Sequence, residues 1–368
     1  MPQILHEWLE LLERRHHKAI DLGLERVGEV WQRMGKPRPA ERIFVVGGTN
    51  GKGSTVATLC SLLGALGYSH GNYTSPHIHR YNERVQINGV NVTDRQLIES
   101  FERVEAARGD TSLSYFEFGT LAAFDILSRE QLDFAVMEIG LGGRLDAVNL
   151  LDADCSIITP IGLDHQEYLG NSLELIGREK AGIIRASRPL ICGEADPPSS
   201  IVETAEASGA PLLRLGVDFN VKPVKQGMRF TAGDIELDLP APVLPGMHQY
   251  RNAATALAAL FQLLPDAVRS TEAIRKGIES VRLTGRLQQV ASRPAVWVDV
   301  GHNLLGATVI ADAIAAQIEA GHCRKMFCVL AMLADKDATA VATALRPVIS
   351  AWHVAGLQGD RGQDGRFL

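Results

Sequence analysis

A glycine-rich stretch, GGTNGKGST at residues 47–55, contains the residue types that bind phosphate groups. Its glycines let backbone N–H groups turn toward an anion, Lys52 can reach terminal phosphates, and the hydroxyl of Ser54 suits Mg²⁺. The spacing differs from the common G-x-x-x-x-G-K-[ST] pattern, because Val46 and Gly53 stand where that pattern has glycine and a hydroxyl residue. The stretch is therefore either an accidental match or a different form of phosphate loop.

Two apolar runs further along the chain end in polar side chains. The first, LDFAVMEIG at 132–140, carries Glu138 near its end and continues into a glycine-rich loop with Arg144. Glu138 could face a metal ion bound to phosphates, and Arg144 could pair with an anion. The alternative is a glutamate at a strand end that faces only solvent. Its place one strand away from the phosphate loop favours the functional interpretation.

The second run, CSIITPIG at 155–162, leads to an Asp-His pair that ends in His165. This histidine is a candidate ligand for a metal or a phosphate, although a loop histidine is more often only hydrogen-bonded. Lys180, in GREKAGI, is by itself typical of a solvated helix lysine. His77 and His79 resemble a metal-binding pair, but no third ligand stands nearby, so we interpret them as loop residues.

The elements that would position these residues alternate between short apolar runs and helical patterns. Residues 43–46 form the first predicted strand, and apolar residues recur at helical spacing after Val56. The glycine-rich loop thus joins a strand to an amphipathic helix that ends near Gly67. This alternation predicts an α/β fold with a mostly parallel sheet flanked by helices. Ligands of such sheets bind at the carboxyl ends of the strands, where Glu138 and His165 stand.

The second half of the chain has a different texture. Residues 211–240 form short alternating segments with a Gly-Asp turn, which predicts a hairpin, and residues 252–264 are strongly helical. After TGRLQQV the alternation of strands and helices restarts. We therefore predict two domains, one of residues 1–284 and a second, smaller α/β domain of residues 285–368.

Polar residues of the last third stand at predicted helix starts and strand ends: Asn252, Arg286 and the run Asp299-Val300-Gly301-His302-Asn303. Such positions can contact a nucleotide from across a cleft between domains, where small-molecule sites often lie. Each of them is a weak signal when taken alone.

The composition excludes several classes of protein. With 46% hydrophobic and 22% charged residues, the 368-residue chain is that of a globular protein with a large core. A net charge of −6 gives no basic face for a nucleic acid, and no apolar run is long enough for a membrane span. The five scattered cysteines predict reduced core thiols in a cytoplasmic protein. We expect a monomer whose partners are small molecules only.

Taken in order, eight segments resemble the Mur-ligase-like family of ATP-dependent amide ligases. The resemblance runs from about residue 7 to about residue 362 and is closest to the bacterial bifunctional dihydrofolate synthases/folylpolyglutamate synthases. A glycine after the loop lysine is a mark of this superfamily, so Gly53 is a regular feature of it. The matching segments are GTNGKGS, TSPHIHRYNERVQING, EIGLGGRLDAVN, LDHQEYLG, IGREKAGI, GMHQYRNAATALAAL, TGRLQ and DVGHN.

The resemblance implies a phosphate-loop domain that binds ATP and pterin or folate, followed by a Rossmann-like glutamate ligase domain. The implied reaction converts a carboxylate of 7,8-dihydropteroate or of a reduced folate to an acyl phosphate, which the amine of L-glutamate attacks. Two alternatives remain open at this point. The enzyme could carry only the folylpolyglutamate synthase activity, or the chain could be an inactive nucleotide-binding remnant.

The resemblance also implies roles for individual residues. Lys52, Lys180 and His165 would be catalytic, and Lys180 would be carbamylated to become a ligand of a second Mg²⁺, with K⁺ as a further candidate cation. The implied ATP-binding residues are Thr49, Asn50, Gly51, Lys52, Gly53, Ser54, Asn252, Arg286, Asp299 and His302. The implied metal ligands are Ser75, Glu138, His165 and Lys180. The implied pterin-side residues are Ile20, Asp21, Leu22, Tyr115, Phe116, Glu117, Phe118, Arg144, Leu145 and Asp146.

The chain departs from the family pattern near its end. The family commonly has D-V-A-H-N-P where this chain has Gly301 and Leu304, which loosens the backbone and removes a rigid turn. The sequence also stops at GDRGQDGRFL, before the closing strand and helix that the resemblance implies. We therefore expect an incomplete second domain with an exposed sheet edge.

Overall fold

The computed structural model describes residues 2–18, 20–359 and 361–367. The helices are α1 Leu5–Arg15, α2 Glu25–Arg33, α3 Lys52–Ala65, α4 Asp94–Arg108, α5 Tyr115–Ser128, α6 Gln166–Leu169, α7 Leu173–Ala181, α8 Ser199–Ser208, α9 His248–Leu263, α10 Thr271–Glu279, α11 Leu304–Glu319 and α12 Ala338–Leu345. The strands are β1 Arg42–Gly47, β2 His70–Tyr73, β3 Val85–Ile87, β4 Val90–Asn91, β5 Phe134–Glu138, β6 Cys155–Ile158, β7 Leu190–Cys192, β8 Leu212–Arg214, β9 Phe219–Val224, β10 Gly227–Ala232, β11 Ile235–Leu239, β12 Gln288–Ser292, β13 Ala295–Val298, β14 Phe327–Leu330 and β15 Ala351–Val354.

The largest sheet has eight strands in the order β4-β3-β2-β5-β1-β6-β7-β8. Its strands are parallel except at the β2–β3 and β3–β4 pairs, which are antiparallel. Val46 of β1 is in register with Glu138 of β5, and Gly47 of β1 with Ile158 of β6. The phosphate loop, Glu138 and the loop after β6 therefore leave the sheet at one edge, as the sequence predicts.

Helices cover both faces of this sheet because its central strands are buried on both sides. Ile43 and Val45 of β1 point into one core with Trp8 of α1, and Phe44 and Val46 point into the other. The second core receives α3, α9 and α10, so the helix that follows the phosphate loop is held from both sides. The predicted α/β fold with a mostly parallel sheet is confirmed.

The predicted hairpin lies in a separate three-stranded antiparallel sheet of β9, β10 and β11. Its turn uses Gly233, whose φ of 54° is in the left-handed region that glycine tolerates. The helix predicted at 252–264 is α9, which begins a turn earlier, at His248. The GMHQYR segment before it carries no apolar periodicity, so that first turn could not be predicted from the pattern of residues.

The last third has a small core of its own, formed by Ala307, Met332, Val341 and Leu345 between α11 and α12. Its strands pair only as β12 with β13, antiparallel, and β14 with β15, parallel, among the described residues. The predicted second α/β unit is therefore present, but the strand predicted from AVWVDV pairs with β12 and lies outside the β14–β15 sheet. The separate core supports our proposal of a domain boundary between residues 284 and 285.

None of the helices in the described ranges combines the length and apolar character that a bilayer span requires.

Candidate active site

The phosphate loop lies at the N-terminus of a 14-residue helix, between the end of β1 and the start of α3. Gly51 precedes the helix with a φ of 93°. A Cβ on Gly48 would lie 2.0 Å from Thr159 Oγ1, so only glycine fits there. Backbone N–H groups and the positive end of the helix dipole meet at this loop, which makes it a site for an anion.

Lys52 is held inside the loop. Its Nζ donates to the carbonyl oxygens of Gly48 at 3.2 Å and Thr49 at 3.0 Å. Burial lowers the pKa of this lysine, while the carboxylates of Glu138 and Asp164 act in the opposite direction. A cation in this position can stabilise negative charge on bound phosphates.

Lys180 of α7 is 3% exposed, and its Nζ donates to the carbonyl oxygen of Gly48 at 2.8 Å. The interpretation as a solvated helix lysine is therefore wrong. Burial, reinforced by the charge of Lys52, lowers the pKa of Lys180 to about 7. A large fraction of this amine is thus neutral near neutral pH, which gives it the nucleophilic character that ordinary lysines lack.

Glu138 closes β5 with a carboxylate that is 5% exposed, so the interpretation as a solvated strand end is also wrong. Its Oε2 accepts a hydrogen bond from the Ser75 N–H at 3.2 Å and lies 3.9 Å from where a Cβ on Gly53 would be. Burial raises the pKa of Glu138, and Lys52 and the Ser75 N–H oppose that rise. A buried carboxylate beside a phosphate loop is a suitable ligand for a hard divalent cation.

Asp164 and His165 follow β6 and meet a lysine from the second domain. Lys336 Nζ lies 2.7 Å from Asp164 Oδ1 and 3.1 Å from His165 Nε2. Burial lowers the pKa of His165 to about 4, with Lys336 reinforcing the shift and Asp164 opposing it. The imidazole is therefore neutral at physiological pH, the state in which histidine binds metals.

The second domain contacts the nucleotide-binding domain through further polar groups. The side-chain amides of Asn303 and Asn50 are 2.9 Å apart, and Asn303 Nδ2 donates to Asp164 Oδ2 at 2.9 Å. Burial raises the pKa of Asp164, but hydrogen bonds from His302, Lys336 and Asn303 outweigh this and hold the pKa far below its usual value. Asp164 is thus an ionised carboxylate on which three groups of the second domain converge.

One cavity of about 250 Å³ at this edge of the sheet is lined by every residue that the resemblance assigns to ATP or metal. Asn252 of α9 closes one side, because a Cβ on Gly51 would lie 2.6 Å from its Oδ1. Those lining residues are Thr49, Asn50, Gly51, Lys52, Gly53, Ser54, Ser75, Glu138, His165, Lys180, Asn252, Arg286, Asp299 and His302.

The pterin-side residues lie outside that lining but are linked to one another. Arg26 pairs with Asp21 at 2.9 Å and with Glu117 at 2.9 Å, and the Gly23 N–H donates to the Leu145 carbonyl at 3.3 Å. The segments 20–22, 115–118 and 144–146 are therefore neighbours.

Within the same group, Arg144 is half-exposed and pairs with Glu179 at 2.8 Å. The buried Asp146 accepts from the N–H groups of Leu141 and Val148, and its burial raises the pKa to about 6. Phe116 packs against Gly140, where a Cβ would lie 2.4 Å from the ring, which connects the start of α5 to the end of β5.

Sequence reasoning missed Lys336 and the role of Asp164 as the partner that Lys336 shares with Asn303, whereas Asn303 itself belongs to the run 299–303 that the sequence placed at the cleft. The acidic loop ADKD after a predicted strand was the available signal for Lys336. A charged loop is usually solvated, so its contact across the cleft is visible only once the two domains are placed together.

Comparison with known proteins first gives the class of this fold and site. The profile described as the Mur ligase middle domain matches residues 46–260, more than half of the chain. The chain is therefore a member of the Mur-ligase-like class.

More closely, the chain belongs to the dihydrofolate synthase/folylpolyglutamate synthase family of ATP-dependent ligases. It is 45% identical over 365 residues to the dihydrofolate synthase/folylpolyglutamate synthase of Escherichia coli K12, covering 99% of this chain and 84% of that protein. The Haemophilus influenzae protein of the same name is 38% identical, with 99% and 85% covered.

Solved structures of this family have the same fold. A complex of E. coli FolC with DHPP and ADP matches with a TM-score of 0.93 and 44% identity, covering 100% of this chain and 87% of that one. A bifunctional folylpolyglutamate synthase/dihydrofolate synthase with Mn, AMPPNP and L-glutamate bound matches with a TM-score of 0.89 and 40% identity, covering 99% of this chain and 86% of that one. The interpretation as a member of this family is confirmed.

Proposed function

We propose that this protein ligates L-glutamate to 7,8-dihydropteroate and to the γ-carboxyl group of reduced folates at the expense of ATP. The observation that carries the proposal is the convergence of Lys52, Lys180 and Glu138 on one phosphate loop. The E. coli and H. influenzae relatives, at 45% and 38% identity, carry both activity names, whereas a folylpolyglutamate synthase from Lacticaseibacillus casei is 31% identical. This favours the bifunctional enzyme over either alternative.

Thr49 to Ser54 would hold the triphosphate of ATP through their N–H groups, with Lys52 placed against the terminal phosphates. A second cavity of about 690 Å³ adjoins the first and shares Arg286 and His248 with it. Its lining is largely apolar and includes Leu244, Leu283 and Trp297. We infer that the base and ribose of the nucleotide lie there, since a planar base requires an apolar cleft beside the phosphate site. Asn252, Asp299 and His302 would complete the ATP contacts.

The donor set at the cleft fits a divalent cation. Ser75 offers a hydroxyl oxygen and Glu138 a buried carboxylate, which are ligands that suit Mg²⁺ beside phosphate oxygens, and His165 would add a neutral imidazole nitrogen. Mg²⁺ would spread the charge of the transferring phosphoryl group. The structure matched at 40% identity contains Mn, which supports a divalent metal at this site, and we propose Mg²⁺ as that metal with a supporting role of K⁺.

Lys180 would be carbamylated and would then supply an anionic oxygen to a second Mg²⁺. Carbamylation requires a neutral amine that attacks CO₂, and the lowered pKa of about 7 provides one. The modified side chain would exchange a buried cation beside Lys52 for an anion. That change removes a like-charge contact and is electrostatically favourable.

In the proposed reaction, an oxygen of the acceptor carboxylate attacks the γ-phosphorus of ATP and ADP leaves. The α-amine of L-glutamate then attacks the acyl phosphate, the tetrahedral adduct loses inorganic phosphate, and an amide bond remains. Lys52 stabilises the charge that develops on the phosphoryl oxygens. Closing the second domain over the cleft keeps water away from the acyl phosphate.

The acceptor would lie beside the phosphate site, along the segments that the pterin-side residues form. Asp21 is held by His16 and Arg26, and the aromatic start of α5 offers Tyr115 and Phe116. We infer that Ile20 to Leu22, Tyr115 to Phe118 and Arg144 to Asp146 bind the pterin and the ring attached to it.

The test is phosphate release from ATP with Mg²⁺ and L-glutamate, run separately with dihydropteroate and with tetrahydrofolate, together with product masses. We expect release with each acceptor and a gain of one glutamyl residue. Release with tetrahydrofolate alone would favour the single-activity alternative. Binding of ATP without release under either condition would identify an inactive remnant and reject the proposal.

We further propose that the enzyme works as a cytoplasmic monomer, in keeping with its five free cysteines. Light scattering coupled to size-exclusion chromatography would give the mass of one chain, and a mass of two chains would contradict this.

A further inference from the structure

Arg84 is a buried cation that lacks an ordinary counter-charge. It ends a short 3-10 helix, Tyr81–Arg84, and is 8% exposed. Its Nε donates to His77 Nδ1 at 2.9 Å, and its side chain forms no ion pair with a carboxylate among the described residues. Removing a guanidinium from water is costly unless an anion or several hydrogen bonds replace the solvent. This arginine therefore has unused capacity to bind an anion.

Aromatic rings surround this guanidinium. Its central carbon lies 5.2 Å from the ring centroid of Tyr81 and 5.6 Å from that of Tyr115. Tyr73, the last residue of β2, stands beside the same group, since it pairs with Val85, the residue after Arg84, and its hydroxyl lies near Gly119 together with that of Tyr81. We call Tyr73, Tyr81, Arg84 and Tyr115 the aromatic box. Cation–π contacts offset only part of the desolvation of a buried charge.

The aromatic box lies between the proposed acceptor site and the phosphate loop. Tyr115 belongs to the pterin-side segment, and Phe116 beside it packs on Tyr73 at 6.0 Å between ring centroids. On the other side, the Thr74 N–H donates to the Arg84 carbonyl oxygen at 2.8 Å, and the next residue, Ser75, donates its N–H to Glu138 Oε2 at 3.2 Å. One short segment after β2 thus contacts both Arg84 and the carboxylate beside the phosphate loop.

We propose that Arg84 binds the acceptor carboxylate that is to be phosphorylated and holds it next to the phosphate loop. This inference rests on the proposed function and deepens it by naming a carboxylate-binding residue. A guanidinium matches a carboxylate through two parallel N–H···O hydrogen bonds, which also fix its orientation. The rings of Tyr115 and Phe116 provide an apolar surface for the aromatic ring that carries this carboxylate in dihydropteroate.

A purely structural role makes a different prediction. Arg84 also supports the 75–80 loop through His77, so its removal could disturb the site without any contact to substrate. A structural loss weakens binding of every pterin ligand equally. Loss of a carboxylate contact weakens only the ligands that carry a carboxylate.

The experiment therefore compares two ligands by calorimetry with the full-length chain: dihydropteroate and its decarboxylated analogue, 6-(anilinomethyl)-7,8-dihydropterin. For Arg84→Met we expect the Kd of dihydropteroate to rise about 10- to 100-fold and that of the analogue to change less than about twofold. Arg84→Lys keeps the charge but loses the planar fork, so we expect about tenfold for dihydropteroate alone. Arg42→Met is the matched control, because Arg42 also stacks on an aromatic ring, that of Phe134 at 4.1 Å, away from the cleft.

Each outcome decides the question. Equal weakening for both ligands in Arg84→Lys and Arg84→Met, or no weakening for either, would overturn the inference. If Arg84→Met fails to fold, as judged by circular dichroism, the Arg84→Lys comparison alone decides. If the unaltered chain binds neither ligand while still binding ATP, the proposed function fails first, and that failure is separate from the assignment of Arg84.

Discussion

The two walls of the cleft differ in how firmly they hold their functional groups. The wall of the nucleotide-binding domain places Lys52, Glu138 and Lys180 at the ends of buried strands or on a packed helix, and Glu138 and Lys180 are at most 5% exposed. The wall of the second domain rests on two-stranded sheets whose apolar side chains face outward, with Val298 at 42% and Val329 at 77% exposure. One wall is a packed core, and the other is a lightly buried layer.

The difference in burial between the two walls matches two different tasks, the positioning of phosphates and the opening and closing of the cleft. Groups that must meet phosphates with accurate geometry lie on the rigid wall, where packing has already fixed them. The second wall reaches the first through polar contacts that converge on Asp164 and Asn50. Polar contacts of this kind can break and form again at little net cost, which suits a domain that opens for substrates and closes for chemistry.

The largest expected effect comes from the rigid wall. Lys52→Ala removes the cation that faces the terminal phosphates, and we expect phosphate release to fall by about 10³-fold or more. Because the side chain is half-buried and hydrogen-bonded within its loop, the melting temperature should be measured alongside. A residual rate within tenfold of the parent enzyme would contradict the assignment of Lys52 to phosphoryl transfer.

Lys180→Met tests the second cation of the same wall. Loss of a metal-supporting ligand lowers metal affinity or activity by about 10- to 100-fold. The same loss should follow removal of CO₂ from the unaltered enzyme and should be reversed by bicarbonate. If bicarbonate does not change the activity of the unaltered enzyme, Lys180 is not carbamylated. The assignment of Lys52 to phosphoryl transfer would not be affected by that result.

Stability gives an independent readout of Lys180. Its pKa falls from 10.5 to about 7 in the folded chain, so between these pH values the unfolded state binds more protons. The free energy of unfolding in CO₂-free buffer should therefore rise with pH across this window, and Lys180→Met should remove that contribution. Urea unfolding at a series of pH values measures it.

A moderate effect is expected from the link between the walls. Lys336→Met and Asp164→Asn each break the 2.7 Å ion pair, and we expect about a 5- to 10-fold loss of activity. The double variant should lose less than the two single losses combined, because both remove the shared contact between Lys336 and Asp164. Arg366→Met, which breaks an exposed pair with Asp364, is the control. X-ray scattering should show a larger radius of gyration for the Lys336 and Asp164 variants and not for the control. Unchanged scattering would contradict the proposal that this ion pair helps to hold the two domains closed.

The rigid wall was also the part that the sequence predicted best. Strand and helix periodicity placed Glu138 at a strand end and Lys52 in the loop between a strand and the following helix, and a parallel sheet brings such positions together whatever the details of packing. The burial of Lys180 could not be derived in this way, because a lysine on an amphipathic helix gives the same pattern whether its face meets water or another loop. Only the resemblance to the family singled it out.

The wall of the second domain was predicted less completely, for a physical reason. Contacts such as Lys336 with Asp164 join residues far apart in sequence and leave no periodic signal. The pairing of β13 with β12, and not with β14, is a local antiparallel hairpin that the sequence analysis did not predict. Arg84 lies in TSPHIHRYNERVQING, one of the segments that resemble the family. The sequence could not show that this arginine is buried without a carboxylate partner among the described residues.

The smallest expected effect is that of replacing His79. This substitution tests whether His79 is only a loop residue or contacts a metal or substrate. His79 is exposed, and its backbone N–H donates to Glu83 Oε1 at 2.9 Å. The Glu83 carboxylate thus holds the loop through main-chain groups, which a side-chain substitution leaves in place. We therefore expect His79→Ala to change phosphate release by less than about twofold, as is usual for exposed positions away from a site. A loss as large as that of Lys52→Ala would mean that the 75–80 loop moves its imidazole onto the substrate, and the rigid wall would then include a mobile catalytic segment.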